Sequence, residues 1–227
     1  MEGEIWDEER WEAFLKENDR QLERCMNLLF RFMSEYPPPG EARSSVHSEW
    51  ENQLRAYLLS NGIRPDEVLP PDGRGPREEG FPDFADEHPG GDYEEPDDVV
   101  SSLERLPVYR ASHRLASRVL TWSNSLPGHV KDSTFVQFCS HITQIPANLT
   151  KGHGIGYEID MLGGNIACSK RALASANAAL DLLRELKSVP YLDGRLYRSL
   201  YEEAFHVRND LGVFVQDLRE RFDLGVD

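Results

Sequence analysis

Residues 157–187 read YEIDMLGGNIACSKRALASANAALDLLRELK. The stretch holds no proline and stops short of Pro190. Ile159, Leu162, Ile166, Leu173, Leu180 and Leu183 fall at intervals that put them on one helical stripe. A helix over 157–187 is predicted, about 46 Å long at 1.5 Å per residue. Two glycines, Gly163 and Gly164, stand side by side within it. Each costs a helix about 1 kcal/mol relative to alanine. Alanines and serines fill much of the rest. A row of small residues lets another backbone come close, so a neighbouring helix or a second subunit is expected against the pair. A hinge or ligand contact there is the other reading.

Working outward, three more helices are predicted on either side. One covers 108–126 and ends at Pro127-Gly128. A second covers 132–151, with Asp132 or Ser133 as its N-cap. A third covers 193–223, with Asp193 as N-cap and Gly225 beyond its end. Pro146 lies inside the 132–151 helix. It removes a backbone donor and crowds the preceding turn, so a kink or restart is expected there. Gly152-His153-Gly154-Ile155-Gly156 then reads as the cap and turn before residue 157. The short connections make successive helices antiparallel neighbours. The fold class expected is all-α: an antiparallel up-down-up-down four-helix bundle over 106–227. The two longer helices should overhang the shorter pair and leave Phe214, Leu218 and Phe222 exposed as an interface.

The first 63 residues are different in character. Residues 6–35 contain neither proline nor glycine and read as one helix that ends before Pro37. Trp11, Leu15, Asn18, Leu22, Cys25, Leu29, Phe32 and Tyr36 alternate spacings of four and three. That is either a coiled-coil seam with a polar Asn18 in it or an amphipathic helix with Asn18 at its margin. Val46, Trp50, Leu54 and Leu58 mark a second helix over about 45–60, closed by Asn61-Gly62. The pair is predicted to form an N-terminal helical hairpin. Residues 64–105 read as an acidic, Pro/Gly-rich linker, with Phe81, Phe84 and Tyr93 spaced among the acids. They serve as a solvated spacer or as a short docking motif.

Charge narrows the function. The chain of 227 residues carries 40 acids against 25 bases, a formal net charge of −15. Ten of those charges belong to 64–105, whereas 106–227 is close to neutral. A nucleic-acid-coating surface would be basic, so nucleic acid is not expected as a partner of the intact chain. Three cysteines with no CxxC spacing fit a reducing compartment. The acidic start lacks the features of a signal peptide, and no apolar run is long enough to span a membrane. A cytoplasmic location is expected.

Candidate chemistry is sparse. A di-metal bundle needs two Glu-x-x-His motifs. One is present, Glu203-x-x-His206, so no metal is assigned, although His113, His141 and His206 lie on three helices and could converge. The glycine-rich run at 152–156 lacks the strand and the Gly-Lys-Ser/Thr of a phosphate loop. Arg208-Asn209-Asp210 is followed by no histidine of the kind some helical nucleases use. No catalytic residue and no cofactor are assigned.

Gln144-Ile145-Pro146-Ala147-Asn148-Leu149, followed by Gly152 and a long helix rich in small residues, resembles a bacterial four-helix bundle family. Its members include the proteins of ribosomal-RNA intervening sequences and the accessory proteins of diversity-generating retroelements. The resemblance covers about 107–222. It implies an antiparallel bundle, no catalytic residues, and a ring-like homo-oligomer, often a pentamer. Gln144, Ile145, Pro146, Asn148, Gly152, Gly163 and Gly164 are the residues singled out for structure or interaction. The function expected is a non-enzymatic helical scaffold that binds itself and a further protein. An accessory role in nucleic-acid machinery and a bundle metalloenzyme are the alternatives.

Overall fold

The computed structural model describes residues 5–38, 44–65 and 102–225. All regular structure among them is helical. The helices are α1 (Glu8–Glu35), α2 (Ser44–Ser60), α3 (Pro107–Ser125), α4 (Ser133–Ile155), α5 (Ile159–Glu185) and α6 (Gly194–Leu224). The linker expected over 64–105 lies mostly outside the described residues, with Phe81, Phe84 and Tyr93. The chain divides into two compact units: Met1–Ala13 with Tyr93–Asp227, and Phe14–Asp92. The division falls inside α1 rather than near residue 63.

In the larger unit, local signals start and stop the helices. Pro107 opens α3, where its missing N–H is no loss. The Asp132 carboxylate accepts from Phe135 N at 2.8 Å and caps α4. Asp193 accepts from Arg195 N and Leu196 N and caps α6, which ends at left-handed Gly225. Packing follows chain order, α3 on α4, α4 on α5 and α5 on α6, and α3 also meets α6. Ile142, Ala172, Ala179, Leu183, Leu200 and Leu211 are fully buried in the shared core.

Three expectations for this unit need correction. Of the kink or restart expected at Pro146, the restart does not occur: α4 runs unbroken to Ile155. The ring is buried, and side chains one turn on bond to nearby carbonyls, Asn148 Nδ2 to Gln144 O and Thr150 Oγ1 to the proline's own O, each at 2.9 Å. Next, the turn before α5 is shorter than the glycine run suggested. Only Gly156, at φ +122°, has the backbone that demands glycine. Gly152 stays helical and serves a close approach instead: a Cβ there would lie 2.9 Å from Asn165 Oδ1 and 3.1 Å from Cys168 Cβ. Finally, Leu218 is not an exposed overhang. It is buried with Leu162 and Ile166, and Phe214 and Phe222 pack beside it, half-buried. The beginning of α5 extends far enough to cover that end of α6.

In the smaller unit, Phe32, Leu54 and Leu58 are buried together, with Leu28, Leu29, Trp50, Tyr57 and Ile63 around them. Phe32 lies 5.6 Å from Trp50 and 5.3 Å from Tyr57, ring to ring. Trp50 Nε1 donates to Tyr36 O at 2.9 Å, and Arg24 Nη2 to Asn61 O at 2.9 Å. The 3.5-residue seam is not continuous. Leu15, Cys25 and Phe32 are buried, whereas Asn18 is exposed and Leu22 is 59% exposed. Asn18 sits at the margin of an amphipathic helix.

Candidate interaction site at the glycine pair

The beginning of α1 lies on Gly163 and Gly164. A Cβ on Gly163 would overlap the Trp6 carbonyl oxygen and sit 2.9 Å from Trp11 Cδ1. One on Gly164 would sit 2.8 Å from Trp11 Cδ2 and 2.9 Å from Ile155 Cγ2. The close approach expected at the pair is therefore made by the N-terminal segment of the same chain. This compensates the helix propensity lost at the two glycines.

The docked segment is held together locally. Asp7 starts α1: its carboxylate accepts from Arg10 N at 2.8 Å, and its carbonyl from Trp11 N. Trp6 and Trp11 meet edge to face, 5.5 Å between centroids, and the Arg10 guanidinium lies 4.4 Å over the Trp6 ring. The two indoles thus lie on the cradle as a packed pair.

Charge complements shape. The Glu8 carboxylate takes two bonds from Arg219, at 3.1 Å from Nε and 2.5 Å from Nη2, and one from Lys170 Nζ at 3.1 Å. Glu12 takes two from Arg171, at 2.8 and 3.3 Å. Paired N–H groups facing paired oxygens give such contacts direction as well as energy. The Glu8 carboxyl is held below its ordinary range, first by the Arg219 hydrogen bonds, against an opposing effect of burial, and then by Lys170. Arg219 shifts upward in turn, chiefly through Glu8. The site is thus a small-residue cradle with three cations around it, filled by two indoles and two carboxylates.

A polar knot adjoins the cradle. Asn165, almost fully buried on α5, donates from Nδ2 to Gly156 O at 3.0 Å, and Ser169 Oγ donates to its Oδ1 at 3.3 Å. The Tyr157 hydroxyl shares a hydrogen bond with the Asn165 side chain and lies 2.9 Å from His153 Nδ1. His153 Nε2 is 2.8 Å from Ser102 Oγ. Burial raises the Tyr157 phenol. A serine beside a histidine invites comparison with a nucleophile and its base. Here the group behind the imidazole is a neutral phenol rather than a carboxylate, and the chain of bonds ties Ser102 to the α4–α5 turn.

Of the residues singled out in the sequence, Gly163 and Gly164 form the cradle, and Gly152 lies next to it, beside Asn165. Ile145 and Pro146 are buried. Gln144 Oε1 accepts from Ser175 Oγ at 3.2 Å farther along the α4–α5 contact. Ile145, Pro146, Leu149 and Gly152 are the buried members of residues 144–152. Glu203 pairs with Arg118 of α3, and His113 and His206 are exposed. Among the described residues, no group of three His, Cys, Asp or Glu side chains is placed to hold a metal, and no helix is long and apolar enough to cross a membrane. The residues missed in the sequence are Trp6, Glu8 and Glu12. Their signal was the run Trp6-Asp7-Glu8-Glu9-Arg10-Trp11-Glu12, two indoles interleaved with acids opposite a glycine pair 150 residues away. Comparison with protein-family models, curated proteins and solved structures finds no match.

Proposed function

We propose that this chain is a non-enzymatic helical assembly module that recognises an amphipathic helix carrying paired tryptophans and acids. Helices α3–α6 are read as an antiparallel up-down-up-down four-helix bundle, in line with the resemblance to the bacterial bundle family. The bundle is the platform, and its glycine cradle is the recognition surface. One observation carries this reading: Trp6, Glu8, Trp11 and Glu12 engage Gly163, Gly164, Lys170, Arg171 and Arg219 by shape and charge together. Apolar contact alone is indiscriminate. Two carboxylates set against three cations fix which helix enters and in which register. Self-association and a further protein partner fit such a platform, and a cytoplasmic setting fits its free cysteines.

A labelled peptide of residues 5–20 tests the reading. Its probe is the full chain carrying Trp6→Ala and Trp11→Ala, in which the internal segment is weakened and the cradle is intact. Saturable binding in the micromolar range is expected, falling at least tenfold on the further change Arg171→Glu. Absence of saturable binding, or binding indifferent to Arg171, refutes it.

A further inference from the structure

The seam between α5 and α6 carries an aromatic ladder with cations along it. Tyr197, Tyr201 and Phe205 stand at i, i+4 and i+8 on α6. Their rings stack, 6.0 and 6.3 Å between successive centroids. From the end of α5, the Arg184 guanidinium lies 5.7 Å over Tyr201 and donates to its hydroxyl at 3.1 Å. Just beyond, Lys187 Nζ lies 5.6 Å over Tyr197. One turn past Phe205, Arg208 bonds across the seam to Asn177 Oδ1 at 3.0 Å. Among the described residues, neither Lys187 nor Arg208 meets a carboxylate. Asp181 lies beside Arg184 and is taken up by it at 2.5 Å. Arg198 and Glu202, one turn apart on the neighbouring face, offset each other. The seam is therefore a basic strip on a chain of net charge −15.

The rest of the seam says what such a strip takes. About 33 Å from Tyr197, at 1.5 Å per residue, it reaches Arg219 and Lys170, where it already holds a carboxylate, that of Glu8. Phe205 is 44% exposed. Gly212, two turns further along α6, would meet nothing within 4 Å if it carried a Cβ. A docked segment offsets the helix propensity lost at Gly163 and Gly164; nothing in the described chain does so at Gly212.

We propose that this seam is a docking surface for an acidic segment of a partner protein. Carboxylates of the segment sit on Lys187 and Arg208, and an apolar side chain lies between Phe205 and the open space at Gly212. The surface runs on from the cradle and goes beyond the function proposed for it. Polyphosphate is the poorer match. The ring faces on which bases would stack are turned to one another and to Arg184 and Lys187. The net charge of −15 also repels a phosphate backbone. A carboxylate, by contrast, is what the far end of the seam already accepts.

A labelled peptide of sequence Glu-Glu-Phe-Glu-Asp-Leu-Phe-Glu-Glu tests this on the full chain. Saturable binding in the micromolar range is expected. It should weaken at least tenfold in Lys187→Glu with Arg208→Glu, and at least fivefold in Phe205→Ala. All three positions are exposed, so the melting temperature should not move. Arg171→Glu, which disables the cradle, should leave this binding within twofold, so that seam and cradle stand or fall separately. Binding abolished by Arg171→Glu overturns the inference. Absence of binding does too, whether the seam is bare or held by the chain's own acidic stretch 64–105. A twenty-nucleotide oligothymidylate that binds more tightly than the peptide would make the occupant nucleic acid and overturn it. A wild-type dimer, seen by light scattering and lost in the Lys187→Glu, Arg208→Glu chain, would make the occupant a second copy and overturn it equally.

Discussion

Gly163 and Gly164 set local against tertiary preference most directly. Alanine at both would add up to about 1 kcal/mol of helix propensity per site. It would also drive two methyl groups into Trp11, the Trp6 carbonyl and Ile155. Gly163→Ala with Gly164→Ala is therefore expected to leave the thermal midpoint of the larger core unchanged or slightly raised. Amide exchange should meanwhile accelerate at least tenfold over residues 8–13. Retained protection there would show that the cradle does not depend on the pair. Glu8 supplies a second test at this scale. Its carboxyl titrates below the ordinary value of 4.5 in the folded chain, so its contribution is complete above that value and is lost as pH falls through the depressed one. In a variant with Trp50→Phe and Trp122→Phe, the emission of Trp6 and Trp11 should shift to the red as pH drops below 4.5. Adding Glu8→Gln should remove that titration step. Neither role could be read from the local sequence, because a glycine pair and a glutamate acquire these roles only when a segment more than 140 residues away reaches them, Glu8 meeting Lys170 and Arg219 at separations of 162 and 211 residues.

At the scale of the element, much was legible. Asp193 caps the helix it was expected to cap, and Asp132 is the one of the two candidates, Asp132 and Ser133, that caps α4, because a carboxylate facing unpaired backbone donors acts through neighbours three residues away at most. Asp132→Ala should cost about 1 kcal/mol and lower the melting temperature by about 2–4 °C. An unchanged midpoint would show that the 3-10 turn at Gly128–Val130 starts α4 without it. Pro146 marks where local reasoning left a restart open that the fold does not take. Its effect on its own helix is unfavourable, yet the surrounding core holds the buried ring in place and α4 continues. Gly152 misled for the same reason. A glycine suits a turn, but it equally suits a helix crossing, and Asn165 and Cys168 on the facing helix decide which.

At the scale of the molecule, the two units have separate cores of unequal size. The smaller rests on Phe32, Leu54 and Leu58, the larger on residues contributed by four helices. Phe32→Ala removes the largest fully buried side chain of the smaller core, a change of about 3–5 kcal/mol. Exchange protection is expected to disappear over α2 and the second half of α1 and to persist over α3–α6. Simultaneous loss in both would show a single cooperative unit.

The sequence by itself determined that the described chain is helical, nearly where each helix begins and ends, and that α1 is amphipathic. Those outcomes rest on periodicity, capping and proline placement, all of which act within a few residues. The tertiary structure alone decided that the unit boundary falls inside α1, that Leu218 is covered, and that Gly163 and Gly164 hold two tryptophans from the beginning of the chain. A stripe of small residues specifies close approach but carries no information about what approaches. That is set by which distant segment matches the cradle in shape and carries carboxylates at the spacing of Lys170, Arg171 and Arg219.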